Sequence, residues 1–304
     1  MLPECLTRLA LFTAVISGTT ACGEGFTGDE QWAGEVGNTD ACTALPFAQE
    51  LPVPEASGAA WIVVAGAPAI LVVGDSSNDG AYAIVDPDTG DSPEQGHLPL
   101  GSGAGDDIEG LATVDGTISG LTSAGWLRTW RRTGADFVLT DGPYAIATVD
   151  GSAGGFACKG SASNCGKNYE GLCLSPLPVA PGRCAGFAAS KADGRLYCLA
   201  SAGARLRLDP SRAIDVTDAD HLSDCGFAPD GSVLWAGTNH GGGGRVYVID
   251  GWADPATASA RGIDTIGPNS PEVLLPGNGG LVYRFADPGD APSFASKYQC
   301  TVGP

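Results

Sequence analysis

Residues 234–251, LWAGTNHGGGGRVYVIDG, have the pattern that decides the fold. Two short apolar strands flank a turn of small residues, and glycine lets the backbone reverse there. Similar strand–turn–strand runs begin at Ile70, Ile118, Leu196 and Leu281. Together with the run at Leu234, these starts are separated by 48, 78, 38 and 47 residues. Because 78 is twice 39, we expect a concealed cycle over residues 144–158 and therefore six cycles of about 42 residues each.

A period of this length with several strands per unit is typical of the blades of a β-propeller. One blade alone cannot bury both of its faces, whereas a closed ring of blades buries them and protects most strand edges. The sequence therefore predicts an all-β protein, a six-bladed β-propeller with about four antiparallel strands per blade, over residues 58–304. A β-sandwich is the alternative, which the even period of the hairpins disfavours.

The start of the chain has the features of an export signal. Residues 9–21, LALFTAVISGTTA, follow Arg8 and form an apolar run of 13 residues, which is too short to span a bilayer. This run predicts a signal peptide over residues 1–21. The sequence TTAC ending at Cys22 resembles a bacterial lipoprotein box, so we expect Cys22 to be lipidated and residues 22–57 to form a tether and N-terminal extension. Plain secretion is the alternative.

This interpretation predicts an exported protein, held at the outer membrane or cell surface as a lipoprotein, or otherwise periplasmic or extracellular. Membrane contact is expected only through the lipid anchor.

The remaining cysteines support export. Eight is an even number, and an oxidising compartment permits four disulfides. Their positions favour these pairs: Cys42 with Cys300, Cys158 with Cys165, Cys173 with Cys184, and Cys198 with Cys225. The chain has no C-x-x-C spacing and only three histidines, which disfavours a zinc site.

Charge and motifs limit the possible partners. The net charge of −19 excludes a nucleic-acid partner, because phosphate binding needs a basic surface. The sequence also lacks the G-x-S-x-G, P-loop and dinucleotide-binding motifs. We expect a monomer that binds a small molecule or a protein, neither of which the sequence identifies.

An acidic residue stands at the start of the first strand in four of the cycles: Glu109, Glu170, Asp224 and Glu272. Equivalent positions in a propeller converge on the central channel. Four carboxylates there would raise one another's pKa unless a cation lay among them. Calcium is the candidate cation, because it takes six to eight oxygen ligands. The alternative is that these acids bond turn N–H groups or face water, as we expect for Asp106 and Asp107.

Two resemblances extend this interpretation. EGLATVDGTISGLTSAGWL (109–127), and NYEGLCL (168–174) with GFAASKADGRLYCL (186–199), resemble strands of six-bladed propellers such as the esterase-like domain associated with some phytases. CGFAPDGSVLWAGTNHGGGGRVYVIDG (225–251) is similar to a blade of the gluconolactonase-like, calcium-dependent hydrolases.

In the gluconolactonase-like family a glutamate, aspartates and asparagines of the channel hold the metal. The resemblance implies Glu109 and Asp224 as the acids and Asn168, Asn239 or Asn269 as the amides.

Three functions remain open. The first is binding of a ligand or protein partner at the channel face. The second is calcium-dependent hydrolysis of esters, lactones or phosphates by the channel carboxylates. The third is a non-catalytic structural role at the cell surface. Convergent acids and a base beside a pocket would favour the enzyme; His240 is expected to be an exposed loop residue rather than that base.

Overall fold

The computed structural model describes residues 41–302, except for residues 49, 153–155, 218–220, 240–242 and 290–291. The predicted signal peptide, Cys22, the first part of the predicted tether and His240 lie outside these residues. Within the described part the one helical element is a 3₁₀ turn at Asn278–Gly280, and no helix there is long and apolar enough to cross a membrane.

The described residues form twenty-one β-strands arranged as five sheets, which we call blades 1 to 5. Two strands come before the first complete sheet: β1 (Cys42–Leu45) and β2 (Glu50–Pro54). Blade 1 contains β3 (Ala56–Val64), β4 (Ala67–Gly74), β5 (Ala81–Val85) and β6 (Glu94–His97). Blade 2 contains β7 (Ile108–Val114), β8 (Thr117–Thr122), β9 (Trp126–Thr133) and β10 (Asp136–Ala145).

Blade 3 contains β11 (Tyr169–Leu174), β12 (Gly186–Ser190), β13 (Arg195–Ala202) and β14 (Arg205–Asp215). Blade 4 contains β15 (Leu222–Phe227), β16 (Leu234–Thr238), β17 (Gly244–Asp250) and β18 (Ser259–Ile266). Blade 5 contains β19 (Pro271–Pro276), β20 (Leu281–Ala286) and β21 (Pro292–Cys300). All neighbouring strands within the sheets pair antiparallel, as the alternating hairpin pattern predicted.

The ring closes with strands from both ends of the described chain. β1 pairs with β21 and supplies the fourth strand of blade 5, and β2 also pairs with β21. The first strands β3, β7, β11, β15 and β19 contact one another in that order, and β19 contacts β3. These five strands are therefore the innermost strands, and they surround the central channel.

The predicted β-propeller is confirmed, but the prediction of six blades is wrong. Residues 144–158 do not form a blade: they include the end of β10 and part of the connection to β11. Leu196 also lies in β13, a third strand, whereas Ile70, Ile118 and Leu234 lie in second strands. The step of 78 residues thus contains long connections rather than a concealed cycle.

The core lies between neighbouring blades. Five clusters of buried apolar side chains each join two adjacent blades, for example Leu71 and Ile118 between blades 1 and 2, or Phe187 and Leu234 between blades 3 and 4. Burial of these faces supplies the main stabilisation of each blade, since apolar surface contributes about 25 cal/mol per Å² removed from water.

Four disulfides join the eight cysteines. The predicted pairs Cys42–Cys300 and Cys158–Cys165 are present. The other two predicted pairs are wrong: the bonds are Cys173–Cys225 and Cys184–Cys198. The first connects inner strands β11 and β15 of adjacent blades, a proximity that distance along the chain does not reveal. Four disulfides indicate an oxidising compartment, the periplasm or the cell exterior.

Candidate functional site at the channel mouth

Each inner strand has a β-bulge near its start. In every blade the pairing between the first and second strands skips one residue, and the skipped residue is a serine or a glutamate. The five skipped residues, which we call the bulge positions, are Ser57, Glu109, Glu170, Ser223 and Glu272. A bulge leaves its extra residue unpaired and redirects that side chain. The five blades therefore repeat the same β-bulge around one end of the channel.

Where the bulge residue is serine, its hydroxyl forms a hydrogen bond with a backbone carbonyl of the neighbouring blade. The Ser57 hydroxyl donates a hydrogen bond to the carbonyl of Ile108 at 2.6 Å, and the Ser223 hydroxyl donates to the carbonyl of Pro271 at 3.1 Å. The bulge itself therefore does not require a carboxylate. The glutamates in the other three blades need a different explanation.

Three of the four acids predicted to share the channel occupy bulge positions: Glu109, Glu170 and Glu272. Asp224 is one residue beyond its bulge, and its carboxylate accepts hydrogen bonds from the backbone N–H groups of Leu274 at 2.9 Å and Cys225 at 2.7 Å. Burial raises the pKa of Asp224 well above its ordinary value, although these two hydrogen bonds act in the opposite direction. Asp224 thus connects blades 4 and 5.

The residue that follows each second strand forms another set, which the sequence analysis missed. Its members are Asp75, Ser123, Lys191, Asn239 and Asp287. Three of them, Asp75, Lys191 and Asp287, donate their backbone N–H to the carbonyl of the residue two positions before a bulge, at 2.8, 2.9 and 3.3 Å. These hydrogen bonds keep the second set beside the bulge positions.

Lys191 neutralises the side of the mouth formed by blades 3 and 5. Its ammonium lies 3.0 Å from a carboxylate oxygen of Glu170 and 4.0 Å from one of Glu272. The Asn239 amide also donates a hydrogen bond to Glu272 at 2.7 Å. Burial raises the pKa of Glu170 from 4.5 to about 7 even though Lys191 lowers it. Burial likewise raises the pKa of Glu272.

Blades 1 and 2 form a second cluster, which we call the acid trio: Asp75, Asp107 and Glu109. One carboxylate oxygen from each lies within 4.8 Å of the others. Asp107 is only 3% exposed, so the expectation that it faces water is wrong, whereas the alternative expectation of a bond to a turn N–H agrees with the backbone hydrogen bond from Ser123. Asp107 also accepts a hydrogen bond from the Ser123 hydroxyl, and its carboxyl group lies beside that of Asp75.

The pKa values of the acid trio are all raised, mainly by burial. The pKa of Asp75 rises to about 7, with the charge and hydrogen bond of Asp107 contributing. Burial raises the pKa of Asp107 despite the opposing hydrogen bonds from Ser123 and Asp75. The pKa of Glu109 rises well above 4.5 because of burial, and the charge of Glu170 adds to this effect. The trio therefore favours protons or another cation.

Further along the channel the walls become apolar. A cavity of about 200 Å³ is lined by inner-strand residues of all five blades, including Ala60, Leu111, Leu172, Phe227 and Leu275. Leu111 and Leu172 come two residues after Glu109 and Glu170, which is about 6–7 Å along a strand. The channel thus combines a charged mouth with an apolar interior.

The missed residues left a weak signal in the sequence. Every second strand is followed at once by a polar residue, as in VVGD ending at Asp75 and AASK ending at Lys191. If the second strand of each blade were known, the residues that follow these strands would be identified as equivalent positions. The sequence alone does not distinguish them from ordinary turn residues.

Comparison with solved structures shows the fold. The PQQ-bound aldose sugar dehydrogenase from Streptomyces coelicolor matches 86% of this chain and 98% of its own, with 15% identity and a TM-score of 0.50. The glutaminyl cyclase from Myxococcus xanthus matches 85% of this chain and 99% of its own, with 17% identity and a TM-score of 0.46. No known family model matches the sequence, and no curated protein matches it. Similarity at this level of identity establishes the propeller fold alone.

Proposed function

We propose that this protein is an exported binding protein whose channel mouth recognises a positively charged ligand. The observation that carries the proposal is the charge of the mouth. Five carboxyl groups, those of Asp75, Asp107, Glu109, Glu170 and Glu272, are opposed within the described residues by the ammonium of Lys191. Clefts with one sign of charge and low-dielectric walls concentrate ligands of the opposite sign.

Access to the mouth supports binding rather than a purely structural role. The side chains of Lys191 and Glu272 are 26% and 18% exposed, so solvent reaches both side chains. The apolar cavity beyond the mouth suits the hydrocarbon part of an organic cation. A small amine, or a lysine or arginine side chain of a protein partner, has the chemistry that this arrangement recognises.

Calorimetric titration with a short aliphatic diamine tests the proposal. We expect the chain to bind 1,4-diaminobutane and not a dicarboxylate of the same length, and Glu272→Gln to weaken diamine binding about tenfold, or ~1.4 kcal/mol. Glu50→Gln is the matched control, because Glu50 is exposed and lies on β2. Equal affinity of the wild type and Glu272→Gln for the diamine would reject the proposal. A binding signal that sodium chloride produces as well as the diamine would also reject it.

Hydrolysis is the second candidate, and one observation favours it. The carboxyl groups of Asp75 and Asp107 lie within 4.8 Å of each other and both have a raised pKa, which places a general acid beside a general base. Assays with activated ester, lactone and phosphate substrates would test this function. Turnover that Asp75→Asn abolishes would support a hydrolase, whereas absence of turnover would leave binding as the function.

The lipid anchor belongs to the same proposal. Export and anchoring through Cys22 would hold the propeller at the outer membrane or cell surface with its channel mouth open to solutes. Intact-mass spectrometry of the membrane fraction should find a lipid on Cys22, and Cys22→Ser should release the protein. A Cys22→Ser protein that stays with the membrane would contradict anchoring.

A further inference from the structure

The acid trio occupies positions at which other blades have neutral residues. Glu109 corresponds to serine in two blades, at Ser57 and Ser223. Asp75 corresponds to Ser123 and Asn239. Asp107, which precedes an inner strand, corresponds to Asn168, His221 and Ser270. At each of the three positions at least one other blade has an uncharged residue, so the propeller fold does not require a carboxylate there. Other blades do have charged residues at equivalent positions: Glu170, Glu272, Lys191, Asp287 and Glu55.

Two oxygen sites in the trio lack partners. The Glu109 side chain is 5% exposed, and its pKa is set by burial and by neighbouring charges, with no hydrogen bond from a described residue contributing. The Oδ1 atom of Asp107 is buried and also without a hydrogen-bond partner in the described part. Burial of a carboxylate without a partner is strongly unfavourable. Glu109 and Asp107 belong to the same cluster, so one ligand among the three side chains would bind both carboxyl groups. The Oε1 atom of Glu170 is also buried without a hydrogen-bond partner in the described part, but the other oxygen of that carboxyl binds Lys191.

The chain does not supply a cation to this cluster. Among the described residues, no lysine or arginine forms an ion pair with Asp75, Asp107 or Glu109. The ammonium of Lys191 lies against Glu170 and Glu272 instead. The charge of the trio is therefore compensated by protons, as the raised pKa values favour, or by a cation from solvent.

We propose that Asp75, Asp107 and Glu109 form a calcium site. Calcium binds carboxylate oxygens at about 2.3–2.6 Å, so one ion can contact oxygens up to about 5 Å apart. The separation within the trio, at most 4.8 Å, meets this condition. Magnesium holds its ligands at about 2.0–2.1 Å in a strict octahedron, which requires a more compact set. Three carboxylates supply three to six oxygens, and water completes the coordination.

This inference goes beyond the proposed function, and the two can fail independently. Calcium binding is measured here on the chain without any organic ligand. A chain that binds the diamine but not calcium would retain the proposed function and lose this site.

Calorimetric titration of the metal-free chain with calcium chloride tests the site. We expect one calcium per chain and a calcium-dependent rise in the melting temperature, because a ligand that binds only the folded state stabilises it. Glu109→Ser copies the residue found at two other bulges, and Asp107→Asn copies Asn168. Each variant should weaken calcium binding at least tenfold. Glu50→Gln, at an exposed position of β2, is the matched control and should stay within about twofold of the wild type. Glu170→Gln at a neighbouring bulge should weaken calcium binding less than either variant of the trio, because Glu170 acts on Glu109 only through its charge.

The outcomes separate the proposal from its alternatives. Circular dichroism confirms that each variant is folded, and Asp107→Asn provides the test if Glu109→Ser does not fold. Absence of calcium binding by the folded wild type would overturn the proposal. An equal loss in Glu170→Gln would overturn it as well, because it would indicate diffuse attraction by the whole acidic mouth. Magnesium binding as tight as calcium binding would overturn the assignment to calcium.

Discussion

Glu170 shows how a single residue makes the stability of this propeller depend on pH. Its carboxyl is buried at a bulge of blade 3, and Lys191 compensates it only in part, because the ammonium also faces Glu272. The pKa of Glu170 is about 7 in the folded chain, compared with an ordinary value of 4.5. Folding therefore favours the protonated form of this residue.

The sign of the pH effect follows from proton binding. Between pH 4.5 and about 7 the folded chain retains a proton that the unfolded chain has released, so stability falls as the pH rises through this window. We expect a loss of about 1–3 kcal/mol from Glu170 across the window. Glu170→Gln should flatten this slope in calcium-free chemical denaturation curves, whereas exposed Glu50→Gln should not. A slope unchanged by Glu170→Gln would contradict this account of the carboxyl.

At this scale the sequence identified three of the bulge acids but misplaced the fourth. The sequence predicted Glu109, Glu170 and Glu272 as channel acids because each stands at the start of an inner strand. Asp224 has a similar sequence position, yet the pairing shift between Leu222 and Asp224 places Ser223 at the bulge. A one-residue shift in strand pairing has no signature in composition or periodicity, so only the structure distinguishes the two residues.

Among the elements, the inner strands depend on glycines as much as on bulges. Gly58, Gly110 and Gly171 each follow a bulge and face the inner strand of the next blade. At Gly110 a Cβ atom would overlap the backbone of Gly171 and Leu172. The close approach of adjacent inner strands keeps the channel narrow and brings the bulge positions together.

Gly110→Ala tests this close approach. Because the clash is with backbone, which cannot rotate away, we expect a loss of about 1–3 kcal/mol in the free energy of unfolding. Gly262→Ala is the matched control on outer strand β18, where the nearest atom is the flexible Arg245 side chain at 3.2 Å. Chemical denaturation should show a small effect for Gly262→Ala. A loss for Gly110→Ala as small as that for Gly262→Ala would show that the inner strands tolerate a side chain at this position.

The number of blades was not predictable from hairpin spacing alone. Leu196 begins a run that resembles the second strands, but it lies in the third strand of blade 3. The connection from β10 to β11 and the segment between β11 and β12 add length without adding a blade. Strand alternation identified the fold, since it depends on local pattern, whereas the blade count depends on how the strands are grouped into sheets.

For the whole molecule, closure of the ring is the largest structural constraint. β1 comes from the beginning of the described chain and pairs with β21 near its end, and Cys42 and Cys300 lie opposite each other in that pairing. Their disulfide spans 258 residues of sequence, compared with 7 for Cys158–Cys165. In the chain-entropy model, a longer loop gives a larger stabilisation.

Removal of the closing disulfide should therefore destabilise the ring. We expect Cys42→Ser with Cys300→Ser to cost about 2–5 kcal/mol, and Cys158→Ser with Cys165→Ser to cost less. Calorimetric melting under non-reducing conditions measures both variants. A larger effect from the short-loop pair would show that local geometry at residues 158–165, rather than ring closure, dominates the disulfide contribution.

The central claim is that one end of the channel in a five-bladed ring is a cation site. Anomalous diffraction from crystals grown with terbium in place of calcium tests this claim most directly, since it locates the metal and counts the blades in one experiment. The account predicts five blades and one strong anomalous peak bounded by Asp75, Asp107 and Glu109. An anomalous peak between Glu170 and Glu272, where the ammonium of Lys191 lies, would contradict the assignment to the acid trio. The absence of any peak at the channel mouth in an otherwise ordered structure would contradict it as well.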